Sequence, residues 1–303
     1  MNSERRQWGG HLAALAVYII FGINPNCSKA VVPEYISPEV YTAVRMLFGC
    51  VGFWLLGLFF KKEKVPWTDH KVLMGGGVIM AGTLLAFGRA FCYTSPCYVS
   101  LISATSPLIV MLMAALFLKE PISWRKSVGV LIGICGALFI VLFSWKIDAN
   151  ASPLGLFLCF VNILFYAGYL LLTRTISKRY SPVTMMKWMF LYGSIICVPI
   201  AIPLLSPETS PMLFRAVPVT AYVNLLVVLI FATVVSYFLL PLSLRLLRPT
   251  TVSMYSNLQP VVTATVAIAL GQDIFTWNKS VALVLILVGV YLVTTSRAKE
   301  DLS

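Results

Sequence analysis

Residues 96–140 read PCYVSLISATSPLIVMLMAALFLKEPISWRKSVGVLIGICGALFI, and residues 249–293 read PTTVSMYSNLQPVVTATVAIALGQDIFTWNKSVALVLILVGVYLV. The second stretch repeats Pro96, Val99, Ser100, Ser103, Pro107, Ala114, Trp124, Lys126, Ser127, Val128 and Gly136. They return at the same intervals as Pro249, Val252, Ser253, Ser256, Pro260, Ala267, Trp277, Lys279, Ser280, Val281 and Gly289. That is roughly a quarter identity over about 45 ungapped positions, more than shared apolar composition produces. An acid keeps register too, Glu120 in the first copy and Asp273 in the second. Each copy reads as an apolar helix with Ser and a mid-helix Pro, a short polar connection and a second apolar helix. The pattern implies a membrane protein of two related halves, an arrangement used by secondary transporters.

Composition agrees. Of 303 residues, 59% are hydrophobic and 11% charged, with a mean hydropathy of +0.88. Soluble domains carry about 25% charged residues, so there is too little polar surface here to cover a globule. The net charge of +12 lies in short loops between apolar runs. It is an orientation signal and not a nucleic-acid face. Cys27, Cys50, Cys92, Cys97, Cys135, Cys159 and Cys197 are scattered through apolar runs without metal-ligand spacing. They read as small packing residues, so no disulfide, metal or cofactor is expected. The start, Met1 to Gln7, is polar and basic, and the first apolar run reads as a retained span. There is no P-loop, and Gly75-Gly76-Gly77 reads as a close helix contact. No cluster of His, Asp or Glu suggests an enzyme.

A span needs about 20 apolar residues. Ten are expected: Gly9–Val32, Pro38–Phe60, Val72–Tyr93, Pro96–Leu118, Ser127–Trp145, Pro153–Thr173, Pro182–Leu204, Val219–Leu240, Pro249–Gly271 and Ser280–Ser296. Helices are the only open-chain solution in lipid, so the fold class is all-α integral membrane. Several spans begin at Pro, which suits a first turn whose N–H would be unpaired anyway. Lys and Arg cluster in alternate loops: Arg5 and Arg6; Lys61, Lys62, Lys64 and Lys71; Lys119, Arg125 and Lys126; Arg174, Lys178 and Arg179; Arg245 and Arg248; Arg297 and Lys299. The other side holds Glu34, Glu39, Asp148, Glu208 and Asp273, with only Lys146, Arg215 and Lys279 as cations. Both termini are therefore expected to be cytoplasmic. Five spans per half force the second half to insert upside down. The charge-rich loop around Lys119 and Arg125 then echoes externally, with Gln272 and Asn278 in their place. The first spans echo more weakly, Ser37–Pro38 as Ser181–Pro182 and Phe21 as Phe165. The expectation is ten transmembrane helices as an inverted five-plus-five repeat.

Each half has a Pro in its fourth span, an acid at that span's end (Leu118-Lys119-Glu120-Pro121-Ile122) and a Gly-bearing fifth span (Gly129, Gly133, Gly136). In these features, and over nearly the whole chain, the sequence resembles the drug/metabolite transporter superfamily of EamA type. The resemblance implies one EamA repeat over 1–148 and a second over 149–303. It also implies a central cavity, alternating access, a cell inner-membrane location, and export of amino acids or related carboxylates. The family's eukaryotic cousins exchange phosphorylated or nucleotide-linked sugars, so exchange of larger organic anions is the alternative. Expected partners are a small-molecule substrate and the lipid bilayer, with the protein a monomer or weak dimer.

Helical spacing nominates cavity residues. Gly22, Asn26 and Lys29 share a face of the first span, where Pro25 should weaken the helix by removing a hydrogen bond. Gly82, Arg89 and Tyr93 align in the third span, and Ser100, Ser103 and Pro107 in the fourth. Asn162, Tyr166, Tyr169 and Thr173 form a stripe along the sixth span, and Thr233 and Tyr237 align in the eighth. In the ninth, Ser253, Ser256 and Pro260 align, with Asn257 and Gln259 beside them. Helix–helix packing is the competing reading for the Ser and Gly positions. Pro25, Pro107, Pro241 and Pro260 are candidate hinges, and Glu120 a candidate gating residue.

Four cations lie inside expected spans: Lys29, Arg45, Arg89 and Lys187. Burying one mid-bilayer costs about 2.5–3.5 kcal/mol on insertion scales. Lys29, Arg45 and Arg89 could snorkel, pair with Glu34 and Glu39, or hold a substrate carboxylate in the cavity. Arg suits the last task because its planar fork can donate two bonds to one carboxylate. Lys187 is placed to snorkel. No acid lies deep in a span, and His11 and Glu120 are poor titrating groups for transport. Facilitated transport or exchange without tight proton coupling is therefore expected.

Overall fold

The computed structural model describes residues 2–118 and 152–271, together with helical residues 124, 128, 129, 131, 132, 135, 277, 280, 281, 283–285, 287, 288 and 291. Every regular element among the described residues is helical. Three unbroken helices come first, α1 (Asn2–Lys29), α2 (Pro38–Leu56) and α3 (Trp67–Ala90). α4 is broken into Pro96–Ser103 and Ser106–Leu118. α5 spans Pro153–Ile176, and α6 spans Pro182–Ala201 with a short 3-10 turn after it. α7 runs Val219–Leu246 and is π-wound over Val228–Val235. α8 is broken into Pro249–Met254 and Leu258–Ala269 by a 3-10 turn at Tyr255–Asn257.

Seven helices among the described residues are long and apolar enough to cross a membrane. α8 stands where the ninth span was expected. The expected fifth and tenth spans, with Glu120 and Asp273, fall largely outside the described residues. Several helix limits differ from the apolar runs. α1 starts before Gly9 and stops at Lys29, α3 starts at Trp67 in place of Val72, and α7 runs past Leu240 to Leu246. Hydropathy marks only the hydrocarbon-crossing part, while the helix carries its polar first or last turn into the headgroup layer. Three helices start alike. Ser37, Ser152 and Ser181 each accept an N–H of the first turn, and Pro38, Pro153 and Pro182 follow at the position where no N–H is needed. Large apolar side chains such as Trp54, Phe157, Leu164 and Ile195 remain exposed, as lipid requires of an outer surface.

Packing is reciprocal between the halves. α1 packs on α7 and α8, and α3 and α4 pack on α5. Exchanging α1–α4 with α5–α8 returns the same set of pairs, with α2·α6 and α4·α8 pairing across the exchange. Gly193 on α6 lies so close to α2 that a Cβ would sit 2.9 Å from Met46 Sδ. Gly49 on α2 meets Phe190 on α6 in the same way. The offset between these pairs is the one that relates Ser37–Pro38 to Ser181–Pro182. Gly77 on α3 approaches the α6 backbone, where a Cβ would be 2.6 Å from the Met189 carbonyl oxygen.

The two broken helices break at matching places of the sequence repeat, after Ser103 and around Ser256. Pro107 and Pro260 follow each break, and each removes the N–H that would bond the carbonyl four residues back. At the first break the Ser103 carbonyl instead accepts the Ser106 hydroxyl. The first segment of α4 packs on the second segment of α8, and the first segment of α8 on the second of α4. Pro25 and Pro241 behave differently. Both sit inside continuous helix, so the weakening expected at Pro25 does not end α1.

Candidate functional site

Residues at the α4 break and beside the α8 break line a cavity. Phe21 and Asn24 of α1, Thr83, Leu84 and Phe87 of α3, and Ser103 and Ser106 at the α4 break line it. Asn162, Ile163 and Tyr166 of α5, Tyr237 of α7 and Gln259 of α8 complete the wall, with Arg45 of α2. Both halves contribute. Among the described residues, Arg45 is the only charged one in that lining.

Arg45 is 1% exposed. Its Nε donates to Thr233 Oγ1 at 3.1 Å and its Nη2 to the Ala232 carbonyl at 3.4 Å. Its Nη1 is buried without a hydrogen-bond partner among the described residues. The guanidinium carbon stands 5.5 Å from the Tyr41 ring centroid, a cation–π contact worth about 0.5–2 kcal/mol. The ion pairs found among the described residues are Arg89–Glu39 and Arg179–Asp69, so Arg45 has no carboxylate there.

An aromatic wall stands across the cavity. Tyr18 Oη and Tyr166 Oη are hydrogen-bonded at 2.9 Å. Tyr166 stacks on Tyr169 at 6.4 Å between centroids, and Tyr169 meets Tyr237 edge-on at 5.7 Å. Phe21 packs edge-on against both Tyr166 and Tyr237. Asn162 Nδ2 donates to the Thr83 carbonyl at 2.8 Å, tying α5 to α3 beside the cavity.

Of the residues nominated from sequence, Arg45, Ser103, Asn162, Tyr166, Tyr237 and Gln259 are brought together in this lining. Tyr169 stands behind it, buried, donating to Met186 Sδ at 3.6 Å. Asn26 turns toward α8 and donates to the Thr263 carbonyl at 3.1 Å. Thr263 Oγ1 returns a bond to the Gly22 carbonyl at 2.7 Å, so the Gly22/Asn26 face is a helix contact. Lys29 Nζ donates to the Phe91 carbonyl at 2.6 Å, and Arg89 pairs with Glu39. Tyr93 is exposed, and its carbonyl accepts the Ser152 N–H. Asn257 sits in the α8 break, its Oδ1 buried without a partner among the described residues. Lys187 lies over the Trp54 and Trp188 rings at 5.4 and 5.8 Å.

Sequence reasoning missed Phe21, Asn24, Thr83, Leu84, Phe87, Ser106 and Ile163 as lining residues. Thr83 and Phe87 share an α3 face four residues apart, a spacing that could have been read. It also missed the π-wound turn under Arg45, because the run Val228–Val235 carries no Pro or Gly to announce it.

The chain is similar to known proteins over nearly its whole length. The profile of the EamA-like transporter family matches residues 8–142 and 153–295. An uncharacterized transporter, YetK of Bacillus subtilis (strain 168), is 20% identical over 98% of this chain and 90% of its own. The Arabidopsis thaliana WAT1-related protein At1g25270 is 24% identical over 96% of this chain and 90% of its own. A protein crystal structure at 17% identity superposes with a TM-score of 0.67, covering 96% of this chain and 97% of that one.

Proposed function

The chain belongs to the EamA-like transporter family, and we propose that it is an inner-membrane secondary transporter that exports amino acids or related carboxylates by alternating access. The observation that carries the substrate class is Arg45, a buried guanidinium whose Nη1 has no hydrogen-bond partner among the described residues, beside a cavity whose other described lining residues are uncharged. A carboxylate on Nη1 would supply the missing charge partner and a charge-assisted hydrogen bond. The faces of Tyr166, Tyr237 and Phe21 would receive an ammonium through cation–π attraction. Substrate binding would draw on both halves at once, which is what a site between two swinging units needs.

An inverted five-plus-five repeat, 1–148 and 149–303, is part of the proposal. The reciprocal packing and the matched helix breaks support it. Among the described residues the cavity lining holds no carboxylate, which favours exchange or facilitated flux without tight proton coupling. Both termini would be cytoplasmic, and the working unit a monomer or weak dimer.

Counterflow in proteoliposomes tests this, with amino acids, carboxylates and sugar phosphates offered under a clamped membrane potential. Exchange of zwitterionic amino acids that is lost in Arg45→Gln supports the reading. Exchange of multivalent phosphorylated anions alone would overturn it in favour of an organic-anion exchanger. Uphill accumulation driven by a pH gradient would remove the uncoupled mechanism.

A further inference from the structure

Three nitrogens of the Arg45 fork meet three different fates. Nε donates to Thr233 Oγ1 and Nη2 to the carbonyl of the adjacent Ala232, so both are pinned to a single turn of α7. Nη1 is buried with no hydrogen-bond partner among the described residues. Thr233 is itself fully buried, and its hydroxyl proton is already committed, because Oγ1 donates to the Val228 carbonyl at 3.0 Å. A hydroxyl whose proton is spent can only accept, so Thr233 offers Arg45 an acceptor of fixed direction.

The bond to Val228 reaches five residues back. Thr42, Thr83, Thr175 and Thr265 each donate to the carbonyl four residues back, as an α-helical Thr does. Thr233 sits within the π-wound segment Val228–Val235, and the longer reach follows that winding. Single π turns inside α-helices recur at functional sites. Resting on the reading of Arg45 as carboxylate anchor, we infer that Thr233 is the positioning residue that sets which edge of the guanidinium faces the substrate, and that the π turn supplies its geometry. Arg45 belongs to the first half and Thr233 to the second. The anchor's aim is therefore a property of the seam between the halves, and a movement of α7 against α2 re-aims Nη1.

The test uses the full-length protein in proteoliposomes, with the proteinogenic L-amino acids each set against its C-terminal amide. The variants are Thr233→Val, Thr233→Ala, Thr233→Ser and Arg45→Gln. Thr233→Val keeps shape and removes the acceptor, so KM for the carboxylate form should rise about tenfold with Vmax within about twofold, a shift of one factor of ten in affinity. Its preference for the carboxylate over the amide should collapse. Thr233→Ser keeps the acceptor and should retain both the KM and the preference. Thr233→Ala repeats the measurement if the valine variant fails to fold. A wild-type KM and carboxylate preference in both Thr233→Val and Thr233→Ala, with both lost in Arg45→Gln, would overturn the positioning role and leave the anchor standing. No carboxylate preference in the wild-type protein would overturn the anchor, and this inference with it.

Discussion

Replacing Arg45 by Met separates a functional burial from a structural one. Burying the guanidinium costs about 2.5–3.5 kcal/mol on insertion scales. Against this stand bonds from the charged guanidinium to Thr233 Oγ1 and the Ala232 carbonyl, at about 1.5–3 kcal/mol each. The Tyr41 ring adds about 0.5–2 kcal/mol. The terms close to within a few kcal/mol. Met fills a similar volume with an adaptable apolar chain, and Thr233 keeps its bond to Val228. Thermal stability of Arg45→Met should therefore stay within about 1 kcal/mol of wild type, since volume-conserving swaps usually cost less than 1.5. Affinity should behave otherwise. Losing a hydrogen bond between a charged group and the substrate removes about 1.5–3 kcal/mol, or about 10- to 150-fold in apparent affinity at 1.4 kcal/mol per tenfold. Counterflow reads the affinity and melting of the purified protein reads the stability. A variant that keeps wild-type KM refutes the anchor. A variant that loses several kcal/mol of stability refutes the claim that Arg45 is buried for the substrate and not for the fold.

Arg89 already has Glu39 as partner, so Arg89→Gln should change KM in the same counterflow assay less than about threefold, under about 1 kcal/mol of affinity. Gly77→Leu would drive a side chain into the Met189 carbonyl region and should lower stability by about 1–3 kcal/mol, the usual cost of overpacking, read as a drop in Tm. Glu63 lies outside the spans. Burial pushes its carboxyl up, but hydrogen bonds from Thr184 and from the Ser181 N–H and hydroxyl, with the Arg245 charge, outweigh this and hold it below its ordinary value. Its folded pKa is thus lower than its unfolded one, so it stabilises the fold above the unfolded pKa of about 4.3. That stabilisation is lost as pH falls through the folded value. Glu63→Gln should flatten the acid side of a Tm-against-pH curve relative to wild type, and identical curves would sink the assignment.

The repeat of 96–140 in 249–293 made a family match in two segments, 8–142 and 153–295, legible, because an eleven-residue match in fixed register needs no three-dimensional information. The helix starts were legible for a local reason: Ser37–Pro38 and Ser181–Pro182 carry their own caps. The fates of the buried cations were not. Lys29, Arg45 and Arg89 look alike in sequence, each a cation inside an apolar run. What separates them is whether a carbonyl such as that of Phe91, a carboxylate such as Glu39, or only a π-wound turn comes within reach. Those partners lie 50 to 188 residues away in sequence, beyond any helical-spacing rule. The partners of the α1 face lie beyond sequence spacing for the same reason. Gly22 and Asn26 could line a cavity or meet a neighbouring helix, and only the placement of Thr263 decides it.

The packing between the halves is symmetric, but the polar ties at the two ends of the bundle are not. At one end Ser37 meets Ser210 and the Met212 N–H reaches the Tyr35 carbonyl, so the inter-half ties there are neutral. At the other, Glu63 holds Ser181, and Asp69 accepts from Tyr180 Oη at 2.6 Å and Arg179 Nη1 at 3.0 Å. Small-residue contacts such as Gly49 on Phe190 and Gly193 on Met46 can roll without losing a directed bond. A carboxylate holding a helix N-terminus is made or broken as a unit, and its charge makes it the stronger tie. A swing that preserves the rolling contacts must therefore break unequal bonds at the two ends. The charged end, with Glu63 and Asp69, is where the energetic difference between two access states would concentrate. Removing both acids should raise the labelling rate of single cysteines introduced at that end, while leaving the Ser37–Ser210 end unchanged. Equal changes at both ends would mean that the ties are not what separates the states.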